Sequence, residues 1–210
     1  IEWAVTSAIV FKDKEAINHL FSVASSIDSL VVGEREIITQ VRNSYELCHK
    51  IGVTGDLIRL AIKKTIETAK QVYTHTEIAT KPVSVVSLAY RKLRDLHIKP
   101  DAKFLIIGTG VTNSTMTKYL SKYEFKNFSF FNRTYDSALK LANEVNGKAY
   151  PLSELKDFTE DFDVLITCTG ASEFVVSKEV YTALIKDDKS KKIVIDLAIP
   201  NDFDPEIANT

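Results

Sequence analysis

The sequence predicts an α/β protein in two parts: a mostly helical N-terminal part over residues 1–99, then a Rossmann-like, doubly wound parallel sheet over residues 100–210. Three observations carry that prediction. First, Phe104 to Asn113 reads FLIIGTGVTN, a short, uniformly apolar run that stops at a glycine, skips one residue, meets a second glycine and turns polar. Such a run is too short for a helix and too apolar for a half-exposed strand, so it reads as a buried parallel strand feeding a tight turn. Second, short apolar runs alternate with helical periodicity from there to the end of the chain. Third, apolar residues before residue 99 recur mainly at helical spacing.

Taken in order, Ala8 to Phe11 is apolar and predicts a short strand. From Lys14 the period becomes helical, with Ala16, Ile17, Leu20, Val23 and Ala24 on one face and His19 beside them, until Asp28 and Ser29 interrupt it. Periodicity alone leaves His19 open between a half-exposed structural residue and a functional one. Leu30 to Gly33 leads to Glu34, which is expected to start an amphipathic helix with Ile37, Ile38, Val41, Tyr45 and Cys48 in one stripe. An acid at that end complements the helix dipole. Glu36 and Gln40, one turn apart, share a neighbouring face, and a solvated surface or a polar ligand explains them equally well. Gly52 and Gly55 bracket a turn. The next helix directs Ile58, Ile62, Ile66, Ala69 and Tyr73 inward and Arg59, Lys63, Lys64 and Lys70 outward, with Glu67 interleaved, as a solvated face or a phosphate contact. Pro82 and Ser84 start a further helix carrying Val85, Leu88, Ala89 and Leu96, and the domain boundary is expected at Lys99 to Ala102.

In the second part, Gly108, Thr109, Gly110, Val111, Thr112 and Asn113 form the turn. A helix with Met116, Tyr119 and Leu120 inward follows, and its free N-terminal amides suit a pyrophosphate. Asn113 stands where the G-x-G-x-x-G fingerprint has its third glycine. The second strand, Phe128 to Phe131, ends in Asn132, Arg133 and Thr134. An NAD site places a carboxylate at about this point, roughly 20 residues past the glycines, whereas a cation there suits the 2′-phosphate of NADP. Helix Ser137–Val145, a short strand at Ala149 and Tyr150, strand Asp163–Cys168, helix Ser177–Lys186 and strand Ile193–Leu197 complete the alternation. Ligands bind outside the carboxyl ends of such strands, which makes Thr167, Thr169 and Gly170 cofactor neighbours. Cys168 lies in an apolar strand and reads as packing rather than as a nucleophile.

Composition bounds the function. A net charge of −1 over 210 residues gives no global attraction to polyanions, and two distant cysteines, Cys48 and Cys168, form neither a disulfide framework nor a metal cluster. No metal is expected. No stretch reaches membrane length and no signal peptide opens the chain, so a cytoplasmic setting is expected. The start at Ile1 and the stop at Thr210 suggest part of a longer protein.

His19 to Arg42, HLFSVASSIDSLVVGEREIITQVR, resembles the signature segment of the glutamyl-tRNA reductases, with its histidine, Ala24 to Ser26, Asp28 with Ser29, Gly33 with Glu34, and Gln40. Thr74, Thr76 and Ile78, and the ending DLAIPNDFDPEIA, are similar to further segments of that family. The resemblance implies NADPH-dependent reduction of glutamyl-tRNA to glutamate 1-semialdehyde for tetrapyrrole synthesis. A cysteine thiolate attacks the ester carbonyl and releases tRNA, and NADPH reduces the thioester. It further implies His19 as a catalytic residue, with Ser29, Glu34, Arg35, Glu36 and Gln40 lining the pocket for the glutamate and the tRNA acceptor end. The family's nucleophile lies upstream of this signature and no cysteine precedes His19, so these 210 residues alone are expected to be inactive. Homodimerisation through a C-terminal domain absent here, and hand-over of the product to a semialdehyde aminomutase, are also implied. Two alternatives stay open. One is an NADP-dependent dehydrogenase resembling shikimate dehydrogenase, which has a similar Asn-Arg-Thr. The other is a noncatalytic binding module in which Asn113 has closed the turn.

Overall fold

In the computed structural model the described residues are 9–29, 31–79 and 84–209. They divide into two compact units, Ile1–Val85 and Val86–Thr210.

The first unit is built from helices α1 (Asp13–Ala24), α2 (Glu36–Lys50) and α3 (Asp56–His75), followed by a 3-10 turn at Glu77–Ala79. Helix α3 packs on both others. Its approach to α1 is close because the side chains there are small: Ala24 and Ala69 are fully buried, and the Tyr73 hydroxyl donates to the Ala24 carbonyl at 3.2 Å. Two of the four outward bases pair along their own helix, Arg59 to Asp56 at 3.0 Å and Lys64 to Glu67 at 2.8 Å. That is the pattern of a solvated face. Three expectations shift. Helix α2 begins at Glu36, so Glu34 lies in the preceding turn rather than on the apolar stripe. That stripe, Ile37, Ile38, Val41, Tyr45 and Cys48, is only half-buried, and Ile58 on α3 is exposed. Of the predicted first strand, Ala8 lies outside the described residues, and Ile9 to Phe11 are irregular and exposed. Pro82 also lies outside the described residues.

The second unit runs α4 (Val85–Asp95), β1 (Lys103–Ile107), α5 (Val111–Lys122), β2 (Asn127–Asn132), α6 (Tyr135–Val145), β3 (Lys148–Pro151), β4 (Val164–Thr167), α7 (Lys178–Ile185) and β5 (Ile193–Asp196). All strand pairs are parallel, in the order β3-β2-β1-β4-β5. Phe104 to Ile107 and Val164 to Ile166 are essentially inaccessible because layers cover both faces of the sheet, which is why these strands read as unbroken apolar runs. Leu105, Ile107, Phe131, Leu165, Phe158 and Leu184 form the core on one face. On the α5 side Met116 and Leu120 are fully buried. Asn146 ends α6 in the left-handed conformation, and the Ser177 hydroxyl caps α7. The division between units falls at Val85/Val86, ahead of the boundary expected at Lys99 to Ala102. Helix α4 belongs with the sheet because it buries Val86, Ala89 and Leu93 and sets Tyr90 against Tyr119 and Tyr123, at ring distances of 5.1 and 4.2 Å. Among the described residues no helix is long and apolar enough to cross a membrane.

Candidate functional site

Chain order reverses at β1, whose neighbours β2 and β4 lead away on opposite sides, so the loops at their carboxyl ends diverge and leave a crevice. A cleft of about 350 Å³ occupies that place. It is lined by Gly108, Thr109, Gly110, Val111 and Thr112 from the β1–α5 turn, Asn132 and Arg133 after β2, Leu152 after β3, and Cys168, Thr169, Gly170, Ala171 and Val175 after β4.

The turn explains its own glycines. Gly108 has φ +90°, and a Cβ there would run into the Cys168 carbonyl, so strand packing itself demands glycine. At Gly110 a Cβ would meet nothing within 4 Å, so this glycine leaves the cleft floor open to a ligand. Gly110 is also the N-cap of α5, and the first amides of that helix have no intrahelical acceptor. Open backbone, free amides and helix dipole together fit the pyrophosphate of a dinucleotide. Arg133 is exposed and, among the described residues lining the cleft, is the one charged side chain.

Three predicted residues stand apart from the cleft. Thr167 is fully buried at the end of β4, its hydroxyl donating to Asp196 Oδ1 at 3.0 Å. Thr134 starts α6, its carbonyl accepting from Asn132 Nδ2 at 2.9 Å and from the Ser137 amide at 3.1 Å. Asn113 is fully buried beneath the turn, where Nδ2 donates to the carbonyls of Ile107 and Gly108, each at 2.9 Å. Its side chain therefore braces the turn from below instead of closing it, while its Oδ1 is buried without a partner. Cys168 follows β4 rather than lying within it, with Sγ 3.5 Å from the Leu197 carbonyl. Burial pushes its thiol up, against the thiolate form.

Sequence reasoning missed Leu152, Ala171 and Val175, which are ordinary apolar residues by type, and missed the anchoring of Thr169. The Thr169 backbone N–H donates to Asp202 Oδ2 at 2.6 Å and its hydroxyl donates to Asp202 Oδ1. The signal available was an aspartate in the ending DLAIPNDFDPEIA, which pattern alone did not connect to Thr169.

In the first unit, the residues after α1 form a tight polar loop. Ser26, at φ +55° and fully buried, donates its hydroxyl to the Val31 carbonyl at 3.0 Å and accepts the Glu34 backbone N–H at 2.9 Å. Ser29 Oγ also donates to the Val31 carbonyl at 2.7 Å and lies 2.9 Å from Ser26 Oγ. Gly33, at φ +87°, passes so close to the Ile78 carbonyl that a side chain is excluded. Burial, reinforced by the charge of Glu36, pushes the Glu34 carboxyl up. His19 stacks on Phe11 at 4.5 Å between ring centroids and sets Nδ1 3.3 Å from Asp28 Oδ2. Arg35, Glu36 and Gln40 are exposed. Gln40 lines an apolar groove of about 470 Å³ between α1, α2 and α3, whereas His19 lines a separate depression with Asp28 and Ser22. The described residues thus bring Ser29 and Glu34 into one loop but leave His19 and Gln40 in different hollows. No three His, Cys, Asp or Glu side chains converge as metal ligands among the described residues.

Residues 2–76 match the family described as glutamyl-tRNAGlu reductase, N-terminal domain, and residues 87–210 match the family described as shikimate / quinate 5-dehydrogenase. The chain is 34% identical over 205 residues to a glutamyl-tRNA reductase of Aquifex aeolicus, covering 95% of this chain and 50% of that protein. It is 35% identical over 198 residues to one of Carboxydothermus hydrogenoformans, covering 92% and 43%. Among solved structures, glutamyl-tRNA reductase from Methanopyrus kandleri superposes with a TM-score of 0.53 at 30% identity, over 97% of this chain and 52% of that one. The chain spans about half the length of the curated relatives it matches.

Proposed function

This chain belongs to the glutamyl-tRNA reductase family, its second unit falling within the shikimate/quinate 5-dehydrogenase family of domains, and on that premise we propose that it serves the NADPH-dependent reduction of glutamyl-tRNA to glutamate 1-semialdehyde, the first committed step of tetrapyrrole synthesis. The observation that carries the reading is the cleft at the β1–α5 turn, whose open Gly110 floor and Arg133 cation sit in one chain with the His19 to Arg42 segment. A shikimate dehydrogenase would account for residues 87–210 and not for residues 2–76.

The second unit is a nicotinamide-dinucleotide domain. In our reading Gly108 to Thr112 and the α5 amides hold the pyrophosphate, and Asn132, Arg133 and Thr134 flank the adenosine ribose. Arg133 selects the 2′-phosphate of NADPH because a guanidinium pairs with phosphate and, among the described residues, no carboxylate lines the cleft to hold a 2′-hydroxyl. Thr169 and Gly170 border the nicotinamide. That cofactor, when bound, supplies the hydride. Ser29, Glu34, Arg35, Glu36 and Gln40 bind the glutamyl group and the acceptor end of tRNA. With Nδ1 turned to Asp28, His19 presents Nε2 to give a proton to the departing ribose oxygen.

In this reading the thiolate the chemistry needs comes neither from Cys168, whose thiol burial pushes up, nor from Cys48 in the apolar stripe of α2. The 210-residue polypeptide by itself is therefore expected to leave glutamyl-tRNA unreduced. Dimerisation through a C-terminal domain, transfer of the product to a semialdehyde aminomutase and a cytoplasmic setting belong to the same reading.

Thermal unfolding of the polypeptide with NADPH and with NADH tests the cofactor assignment, because a ligand at 100 times its Kd stabilises the folded state by about 2.7 kcal/mol. NADPH is expected to raise the melting temperature well above the effect of NADH, and Arg133→Ala to remove the difference. Equal shifts with both cofactors in the parent chain would overturn the NADPH assignment.

A further inference from the structure

Behind the β4 side of the cleft lie two carboxylates that the proposed function leaves unused. Asp202 is fully buried, and both of its oxygens accept hydrogen bonds from Thr169. Asp196, the last residue of β5, accepts from the Thr167 hydroxyl, the Ala198 amide and the Phe203 amide, each at 3.0 Å. Every one of these contacts is a donor aimed at a carboxylate oxygen, the arrangement that holds an ionised group. Neither aspartate has a lysine, arginine or histidine partner among the described residues.

A buried anion without a counter-ion is costly. Burial above all pushes the Asp202 carboxyl up, the two Thr169 bonds oppose that, and the Asp196 charge adds to it. Such a charge is explained when the missing cation arrives with a ligand.

The geometry says where that cation would be. Thr169, Gly170 and Ala171 form the wall of the cleft at the carboxyl end of β4, and Asp202 lies one hydrogen bond behind that wall. Arg133 marks the opposite side, after β2, where the adenosine half of a dinucleotide lies in a doubly wound sheet. The nicotinamide half then falls against the Thr169 wall. Its ring carries a positive charge when oxidised and none when reduced. The cleft is thus charged positively where the cofactor is anionic and negatively behind the place where its ring becomes cationic.

We propose that Asp202 is a positioning residue that acts through Thr169 to make the cleft sense the oxidation state of the nicotinamide, favouring the cationic ring over the neutral one. The inference rests on the dinucleotide reading of the cleft. Its consequence is a bias toward hydride passing from the ring to the acyl carbonyl, the direction in which the proposed reduction runs.

Calorimetric titration of the 210-residue polypeptide with NADP⁺ and with NADPH, in parent and Asp202→Asn, tests this by binding alone. The ratio of the two affinities is expected to move by about fivefold or more toward NADPH in the variant, because a neutral amide of the same size removes the charge and leaves the shape. Asp196→Asn, at a half-exposed position, is expected to move the ratio in the same direction by less, and it answers the question if Asp202→Asn fails to melt cooperatively. Affinities for both cofactors that fall together with an unchanged ratio would overturn the inference, since a purely structural brace would weaken both forms alike. Failure of the parent chain to bind either cofactor would instead overturn the dinucleotide reading and this inference with it.

Discussion

Asn113 offers the sharpest test of how the turn is held. Asn113→Asp keeps the size of the side chain and removes the donor that bridges the Ile107 and Gly108 carbonyls at 2.9 Å. Ile107 retains a second donor, the Cys168 amide at 3.1 Å, so one carbonyl, that of Gly108, loses its partner. Losing two net hydrogen bonds at about 1 kcal/mol each and stranding one buried acceptor at about 1–3 kcal/mol gives a deficit of roughly 3–5 kcal/mol. The deficit must also depend on pH. An introduced carboxyl facing two carbonyls in a buried site has its folded pKa raised above the unfolded value of about 3.9, by about 1.4 kcal/mol for each unit. A raised carboxyl is tolerated while protonated, when its O–H still donates once, and loses stability as pH climbs past the unfolded pKa. Urea unfolding followed by far-ultraviolet circular dichroism, at pH 4.5 and pH 7, is expected to show a larger deficit at pH 7. Asn113→Gly, which completes the G-x-G-x-x-G pattern, loses the same two bonds and adds about 1 kcal/mol of helix cost, so it too is expected to destabilise. A glycine variant as stable as the parent, or an aspartate deficit equal at both pH values, would refute the reasoning.

Three further outcomes follow from other sites. Gly108→Ala, facing the Cys168 carbonyl at a positive φ, is expected to lower stability by about 2–4 kcal/mol, whereas Gly110→Ala, with open space around it, is expected to melt like the parent and to lose its NADPH-induced shift in the same thermal assay. The hydrogen bond to Lys192 is the main cause holding Asp188 down at about 2. A carboxyl with a depressed folded pKa contributes stability above its unfolded pKa, about 3.9, and loses it as pH falls toward the folded value. Asp188→Asn should therefore lower the melting temperature at pH 7 and match the parent near pH 2, and a pH-independent difference would remove the ion pair as its cause.

The sequence by itself determined the second unit closely. Phe104 to Ile107 and Val164 to Ile166 are legible because a strand covered on both faces must be apolar at every position, and helices between such strands force parallel pairing. Gly108, Gly110 and Arg133 are legible because backbone freedom and charge are properties of residue type. What only the tertiary structure decided is where side chains point and what lies across from them. Asn113 reads as a spoiled fingerprint and is a buried brace, because type does not reveal that its amide turns under the strand end. Helix α4 reads as part of the N-terminal domain and falls with the second unit, because Tyr90 meets the Tyr119 and Tyr123 rings at the end of α5. Ser29 is implied by the resemblance as a pocket residue, and only the structure shows its hydroxyl bonded within its own loop. Asp202 stayed invisible, since its link to Thr169 joins residues far apart in the chain, and a contact formed only when the chain closes on itself leaves no local trace in the sequence.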